Sequence, residues 1–486
     1  MRSPGKIKGR QIAAPTISAR LSSHVTLEAQ ADGSIAACFD GYSTGLGKFN
    51  PGLIDRAQAL RTGLPFTSFA SNGSVSDKEI DLLVRRLARR GLLEYRLARS
   101  GERNDQVVIE PQIPDYWPQT SKLADADVVV LSRFAYLRRR GNEMILESPR
   151  AGALFRICDP KVASALTLLA TPQKISKLRR QDSFPGLELL ALLMDCQILF
   201  KIEADSDGLR ANEGDDNLVL WDFHDLLFHA RSTEGRQANP LGGLYPCAGV
   251  MPPPPAVRPR WPGKKIDLGK FATPSETMSP VAKLLRERHS TRDFDDQHPI
   301  TLAELAQFLD NTARVLSKWE SPLDLGGDGP VIAYTTRPYP SGGSSYELEL
   351  YLAAANCEGL GRGFYHYDAD RHALVPIEVR PQDFDAMLNS AEFAMDAPGA
   401  PQILVTIAAR FDRISWKYSS LAYSLILKDV GVLIQTFYMM ATDMGLGGCA
   451  IGTNNIDLFA RMTGIDFHIE GPVGQFAIGR GAQEQT

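Results

Sequence analysis

Residues 415–452 read SWKYSSLAYSLILKDVGVLIQTFYMMATDMGLGGCAIG, and this stretch decides the fold of the C-terminal half. It opens with Lys417 and Tyr418 side by side, continues as roughly seven turns of helical pattern, and closes in a glycine cluster. Leu421, Leu425, Val430, Leu433, Phe437, Ala441 and Met444 fall on overlapping faces and leave Lys428, Gln435 and Thr442 as a thin polar strip. A helix apolar almost all round is expected to be buried. Gly445, Gly447 and Gly448 end it and would let backbone approach a flat ligand closely. The dipeptide and the glycines are therefore expected to serve one site.

The 486-residue chain has room for two to four domains, and its 44% hydrophobic and 23% charged content is that of an ordinary soluble globular protein. A net charge of -4 gives no general attraction to nucleic acid. Six cysteines with no CxxC pair offer neither a zinc ribbon nor a disulfide framework, which fits a reducing cytoplasm. No apolar run of membrane-spanning length escapes interruption, since Lys428 and Asp429 sit mid-helix. Arg2, Lys6, Lys8, Arg10 and Arg20 mark residues 1–21 as a disordered basic tail rather than a secretory signal, because no apolar core follows them.

From Val25 to Phe39 two short strands are expected around the turn pair Asp32-Gly33. Pro51 opens a helical segment, and Ser76 with Glu79 resembles a capping box before IDLLVRRLARRGLL. Gly91 stops that helix and LLEYRL returns as a strand, the order of a small winged-helix-like module. The order recurs from Val128. An offset of 106 superposes Leu83 on Leu189, Val84 on Leu190, Leu87 on Leu193, Leu92 on Ile198 and Leu93 on Leu199, which predicts a degenerate tandem repeat. EPQIPDYWPQT between the copies has the prolines of a linker, and MPPPPAVRPRWPG marks a second, longer one. His224 and His229 invite a metal reading, but five residues on a helix turn them about 140° apart, so packing or capping is the better account. Beyond Thr277, helices alternate with the strands YELELYLAAA, FYHYD, QILVTIAA and GQFAIG, an α+β or α/β pattern.

Three motifs carry chemistry. In RHSTRDF, Arg288 and Arg292 flank His289 and Ser290, so two guanidinium forks and a hydroxyl could converge on one phosphate. Arg480 in IGRG adds a third arginine with few structural reasons to be there. PSGGSS, residues 340–345, can present backbone N–H groups to a ligand, although a plain hairpin turn has the same composition. GLGRG at 359–363 lacks both the spacing and the strand-to-helix setting of a dinucleotide fingerprint. Lysine and tyrosine titrate near 10, so the Lys417-Tyr418 pair becomes a base at neutral pH only through burial or a neighbouring charge.

Together these segments resemble the FMN-dependent nitroreductase fold, and more closely its SagB-type azoline dehydrogenases, which make thiazoles and oxazoles in ribosomal peptides. RHSTRDF, PSGGSSYELELYLAAANCEGLGRGFYHYD and KDVGVLIQTFYMMATDMGLGGCAIG carry the resemblance, which covers nearly the whole chain from about Val25. It implies that Arg288, His289, Ser290, Arg292 and Arg480 hold FMN phosphate and ribityl oxygens. Ser341, Gly342 and Gly343 would line the ribityl and ring edge, and Ala450, Ile451 and Gly452 would lie against the isoalloxazine. Lys417-Tyr418 falls where azoline dehydrogenases carry their essential Lys-Tyr pair. LSRFAYLRRR and WDFHDLLFHAR resemble N-terminal segments of SagB-type and cyanobactin-type oxidases, whose winged-helix-like modules are similar to peptide clamps.

The expected fold is α+β, a nitroreductase-like FMN domain at 276–486 preceded by two winged-helix-like peptide-clamp modules at 22–110 and 127–234 and a proline-rich linker at 235–275. The expected function is FMN-dependent oxidation of thiazoline or oxazoline rings in a precursor peptide. A homodimer and a partner cyclodehydratase are implied, and neither nucleic acid nor membrane is expected as a partner. Arg138, Arg139 and Arg140 could attract an acidic leader peptide. The alternatives are a NAD(P)H-dependent nitroreductase or flavin reductase, and a leader-binding scaffold without catalysis.

Overall fold

The computed structural model describes residues 15–39, 41–50, 52–69, 75–99, 104–181, 184–202, 216–236, 245, 247–272, 277–323 and 329–482. Most of the expected basic tail, residues 1–14, lies outside them. The chain divides into two units, Met1–Arg231 with Gly235–Ala238 and Ser232–Glu234 with Asn239–Thr486.

The first unit opens with β1 (Pro15–Leu21) and a ribbon of β2 (Thr26–Ala29), β3 (Ser34–Phe39) and β4 (Tyr42–Lys48). Helix α1 (Leu53–Gln58), the short β5 (Leu64–Pro65), helix α2 (Val75–Arg89), β6 (Leu93–Arg99) and β7 (Asp105–Pro111) follow. The order then repeats. Strand β8 (Val128–Leu131) leads to a ribbon of β9 (Tyr136–Arg140), β10 (Glu143–Glu147) and β11 (Ala153–Ile157). Helix α3 (Pro160–Leu168), β12 (Gln173–Lys174), the single-turn α4 (Ile175–Leu178), α5 (Leu187–Asp195) and β13 (Leu199–Ile202) complete the second copy. Helix α6 (Phe223–Arg231) closes the unit. The strand order β5-β1-β6 of the first copy matches β12-β8-β13 of the second. All five superposed apolar pairs are buried, on α2 and α5 and at the strands that follow.

Three expectations need correction. Residues 15–21 are not a tail, because β1 pairs along its length with β6 and buries Ala19 and Leu21. The two copies are not separate modules either. Strand β7 pairs with β11, so one seven-stranded sheet, β5-β1-β6-β7-β11-β10-β9, and one apolar core run through both. The supposed linker between them is part of that core. Tyr116 is buried and its carbonyl accepts the Tyr95 hydroxyl at 2.9 Å, while Trp117 stacks on Phe66 at 5.0 Å under the Arg85 guanidinium. Aromatic rings that bury this much area outweigh the local signal of the prolines.

The arginines of β9 are largely spent within the sheet. Arg138 pairs with Glu147, and Arg140 makes a two-pronged contact with Glu110 at 2.7 and 2.8 Å. Arg156 continues the ladder to Glu94, Glu110 and Glu143, and Arg20 joins Glu94. Only Arg139 of the triplet is left exposed without a carboxylate among the described residues. His224 lies exposed beside Asp222, whereas His229 is buried and stacks on Trp221.

The second unit begins with exposed chain at 247–272, then α7 (Pro280–Glu287) and α8 (Leu302–Ala313). A hairpin of β14 (Ser317–Pro322) and β15 (Val331–Thr336) precedes β16 (Leu348–Ala354), β17 (Gly363–Asp368) and β18 (Ala373–Ile377). Helix α9 (Pro381–Met395), β19 (Ile403–Arg410), α10 (Phe411–Ser415), α11 (Ala422–Asp443), β20 (Gly447–Ile451), α12 (Ile456–Thr463) and β21 (Glu470–Gly479) complete it. Six antiparallel strands lie in the order β18-β17-β16-β19-β21-β20, which makes the unit α+β. Strand β19 sits inside the sheet and is buried at seven of its eight positions, as its mostly apolar sequence ILVTIAA requires. Helices α9 and α12 pack on one face of the sheet through Phe384, Leu388 and Phe459.

Helix α11 lies against α8 and the strands β20 and β21, with Phe437 between Phe308 at 5.2 Å and Phe476 at 5.4 Å. By length and composition α11 could cross a membrane, contrary to the sequence expectation, but nine of its side chains are buried within this unit. Its burial is one-sided. Leu427 and Val432 are exposed, since a helix on a sheet covers only the face it presents.

Truncating Trp117→Ala should cost about 3 kcal/mol in urea unfolding, as for other large core aromatics. A solvated linker residue would cost less than about 0.5 kcal/mol.

Candidate active site

The chemical motifs gather in two clusters along α11. The first lies toward its C-terminal end. Ser279 caps α7, whose regular backbone ends at Arg288, and the chain then runs beside β20, with the Thr291 amide donating to the Gly448 carbonyl at 2.8 Å. Tyr438 of α11 holds this arrangement. Its hydroxyl meets Ser290 Oγ at 2.8 Å and accepts the Ala450 amide at 2.8 Å, and its ring lies 4.9 Å beneath the Arg288 guanidinium. Gln402, fully buried before β19, ties the same segment down. Its Oε1 accepts the amides of Ile300 and Arg480, and its Nε2 donates to the Asp295 carbonyl. Neither Tyr438 nor Gln402 was singled out from sequence, because each acts through partners far away in the chain.

The glycines after α11 have a packing reason of their own. Gly445 takes φ +66° and turns the chain, but Gly447 and Gly448 lie in strand β20. A Cβ on Gly447 would fall 2.6 Å from Thr291, and one on Gly448 would fall 2.4 Å from the Phe476 ring. Their missing side chains make room for Thr291 and for the Phe476 ring. Ile451 is buried, Ala450 is half-buried with its amide engaged, and Gly452 is exposed just past the strand.

Arg288 and Arg292 form no ion pair among the described residues, and they flank Ser290 on an accessible segment. Two uncompensated guanidinium groups beside a hydroxyl fit a phosphate dianion. His289 is exposed with Nδ1 3.1 Å from the Glu287 carbonyl. Arg480 has a structural reason after all. Its Nη2 contacts both oxygens of Glu304 at 2.7 and 2.8 Å, and its Nε donates to the His298 carbonyl. Glu304 is also the reciprocal partner in the capping box that starts α8 at Thr301. Arg480 thus keeps Nη1 alone for another ligand.

The second cluster lies at the N-terminal end of α11. Lys417 and Tyr418 do not open the long helix as expected. They continue a turn from α10, both amides donating to the Ile414 carbonyl, in the break before α11. Lys417 Nζ donates to the Gly343 carbonyl at 2.8 Å. Gly343 has φ +60°, and a Cβ there would lie 2.4 Å from the Tyr418 hydroxyl and 2.6 Å from Lys417 Nζ. The PSGGSS turn and the Lys-Tyr dipeptide, about seventy residues apart in sequence, are therefore one structure. Lys417 is exposed and Tyr418 half-buried, so the burial invoked for this pair from sequence is not supplied by the chain itself.

Beneath the turn lie two acids that sequence reasoning passed over. Asp429 of α11, counted earlier as an interruption of the apolar run, is buried and accepts the Gly342 amide at 2.8 Å. Glu347 is wholly buried and accepts the Ser341 hydroxyl at 3.2 Å. Burial, with the charge of Asp429 adding to it, pushes the Glu347 carboxyl up to about 7. Asp429 and Tyr438 stand nine residues apart on α11, which separates the two clusters by about 13 Å along the helix axis.

Replacing Gly343→Ala should displace the Lys417 and Tyr418 side chains and cost about 1 to 3 kcal/mol in thermal unfolding, since both backbone conformation and space oppose a methyl group. Tyr438→Phe should cost about 1 to 3 kcal/mol by leaving the Ala450 amide without its acceptor, read in the same measurement.

Residues 285–480 match the nitroreductase family model, and residues 129–238 match that of the cyanobactin oxidase ThcOx. MJ1384 of Methanocaldococcus jannaschii, assigned as a nitroreductase, is 29% identical over 172 residues, 35% of this chain and 76% of its own. The microcin B17-processing protein McbC of Escherichia coli is 29% identical over 115 residues, 23% of this chain and 42% of its own. Among solved structures, one assigned as a nitroreductase from Ralstonia eutropha aligns at 25% identity and TM-score 0.31, covering 44% of this chain and 89% of that one. A chain of the E. coli microcin synthetase McbBCD complex with truncated pro-MccB17 bound aligns at 20% identity and TM-score 0.39, covering 58% of this chain and all of that one. Over residues 285–480 the chain is thus similar to the nitroreductase family, and over residues 129–238 to the ThcOx cyanobactin oxidase family.

Proposed function

We propose that this chain oxidises azoline rings of a ribosomally made precursor peptide to azoles, using FMN. The observation that carries the reading is the Lys417-Tyr418 pair seated on Gly343, within a nitroreductase-like domain joined to a ThcOx-like segment. The unpaired guanidinium groups of Arg288 and Arg292, with Ser290 between them, would hold the phosphate of FMN. His289 and the free Nη1 of Arg480 lie within the same motif set, and Ser341, Gly342, Gly343 and the 450–452 segment would border the ribityl chain and ring. FMN supplies the two-electron acceptor at N5. The Lys417-Tyr418 pair, with one of its two side chains deprotonated beforehand to serve as the base, would take the acidic proton beside the ring nitrogen and carbonyl, while hydride from the neighbouring ring carbon would leave to the flavin.

A homodimer would set the Lys-Tyr cluster of one copy against the phosphate cluster of the other and cover the exposed Lys417. The first unit would take the leader of the precursor as a strand added to a sheet edge, for which β9 stands at the border of the seven-stranded sheet. With Arg138 and Arg140 paired internally, charge recognition of an acidic leader would fall to Arg139. The substrate ring must come from cyclodehydration of a Cys, Ser or Thr side chain, so a cyclodehydratase in the same cytoplasmic compartment is the implied partner. The match to MJ1384 favours a second reading, a NAD(P)H-dependent nitroreductase or flavin reductase.

Given a heterocyclised peptide, the protein should remove about 2 Da per ring by mass spectrometry, the loss of two hydrogens in a dehydrogenation. Lys417→Ala and Tyr418→Phe should each lower that rate by about a hundredfold while FMN stays bound. Rapid NADPH consumption with a nitroaromatic and no peptide oxidation would instead select the reductase.

A further inference from the structure

Glu347 and Asp429 are buried together under the Ser341–Ser344 turn with no counter-ion. Neither carboxylate forms an ion pair among the described residues. The surrounding charged groups are committed elsewhere. Arg337 donates to the Leu348 carbonyl and lies near Glu349, Arg413 donates to the Ser345 and Ala333 carbonyls, and Lys428 bonds Ser424. Lys417 bonds the outer face of the turn, and the nearby Tyr339 hydroxyl is buried and kept protonated by that burial. Two ionised carboxylates cannot share such a site, because each charge loses its hydration and repels the other.

The contacts also divide the labour between the acids. Glu347 Oε2 holds Ser341, Asp429 Oδ2 holds Gly342, and Glu347 Oε1 faces no donor of the protein. The charge of Asp429 acts on Glu347 across this buried space and helps to raise its carboxyl. One proton between them satisfies the orphaned oxygen and leaves one negative charge. The turn they pin is costly, with Gly343, Ser344 and Tyr346 all at positive φ. Its outer carbonyl is the anchor of Lys417.

We propose that Glu347 and Asp429 are positioning residues of the Lys417-Tyr418 site, holding the Ser341–Ser344 turn in place through a single shared proton. This rests on the reading of Lys417-Tyr418 as the reactive pair. Because burial raises the Glu347 carboxyl above its unfolded value, the folded turn binds more protons than the unfolded chain. Its stability is full below the ordinary glutamate range and falls as pH rises through about 7.

Hydrogen exchange of amides 341–347 in the full chain tests this without any substrate. Corrected for intrinsic rates, exchange there should speed up about tenfold between roughly pH 6 and pH 8 in the unmodified protein. In Glu347→Gln, whose amide donates to Asp429 at every pH, that acceleration should vanish, and Asp429→Asn should behave alike. An infrared carboxylic-acid band lost in Glu347→Gln identifies the proton. Equal pH dependence in the unmodified protein and both variants, or none in the unmodified protein, overturns the proposal. If the exchange pattern holds while Lys417→Ala still oxidises azolines, the latch stands and the catalytic reading falls.

Discussion

Two polar side chains on the buried face of one helix hold the site segments in place. Asp429 accepts the Gly342 amide and Tyr438 accepts the Ala450 amide, so the Ser341–Ser344 turn and strand β20 are fastened to α11 by their backbones. Detaching either segment strands a polar group in an apolar setting at a cost of about 1 to 3 kcal/mol. The apolar remainder of the buried face, with Phe437 wedged between Phe308 and Phe476, keeps the helix where those bonds need it. Rigid packing thereby becomes precise placement of Lys417 at one end and of Ser290 and Arg288 at the other.

The N-terminal unit uses a different device for the same purpose. Its two copies share strand order, but β7 and β11 pair across the seam, and carboxylates and guanidinium groups alternate across the sheet from Arg20 to Arg140. Charges that neutralise one another across strands favour one register over its neighbours. They also leave little uncompensated charge along these strands, Arg139 excepted, among the described residues.

Much of the domain fold was legible. Periodicity and the long apolar run placed α11, β16, β17, β19 and β21, and the offset of 106 found the repeat because helix-to-strand units must bury the same positions. Strand β20 is not legible from its residues, since Gly447 and Gly448 carry no strand propensity of their own. Their reason is the approach of Thr291 and Phe476, which no local pattern announces. The prolines around Tyr116 and Trp117 hid a core segment in the same way.

Of the site, sequence by itself determined which residue types were present: a guanidinium-hydroxyl turn, a glycine-serine turn, and a lysine beside a tyrosine. It could not determine which of them meet. Tertiary structure decided that Gly343 receives Lys417, that Tyr438 joins Ser290 to Ala450, that Arg480 answers to Glu304, and that Glu347 and Asp429 share a buried space. The reason is physical. Local propensity and periodicity act over a few residues, whereas contacts, burial and the displacement of protons arise only when distant segments exclude water from one another.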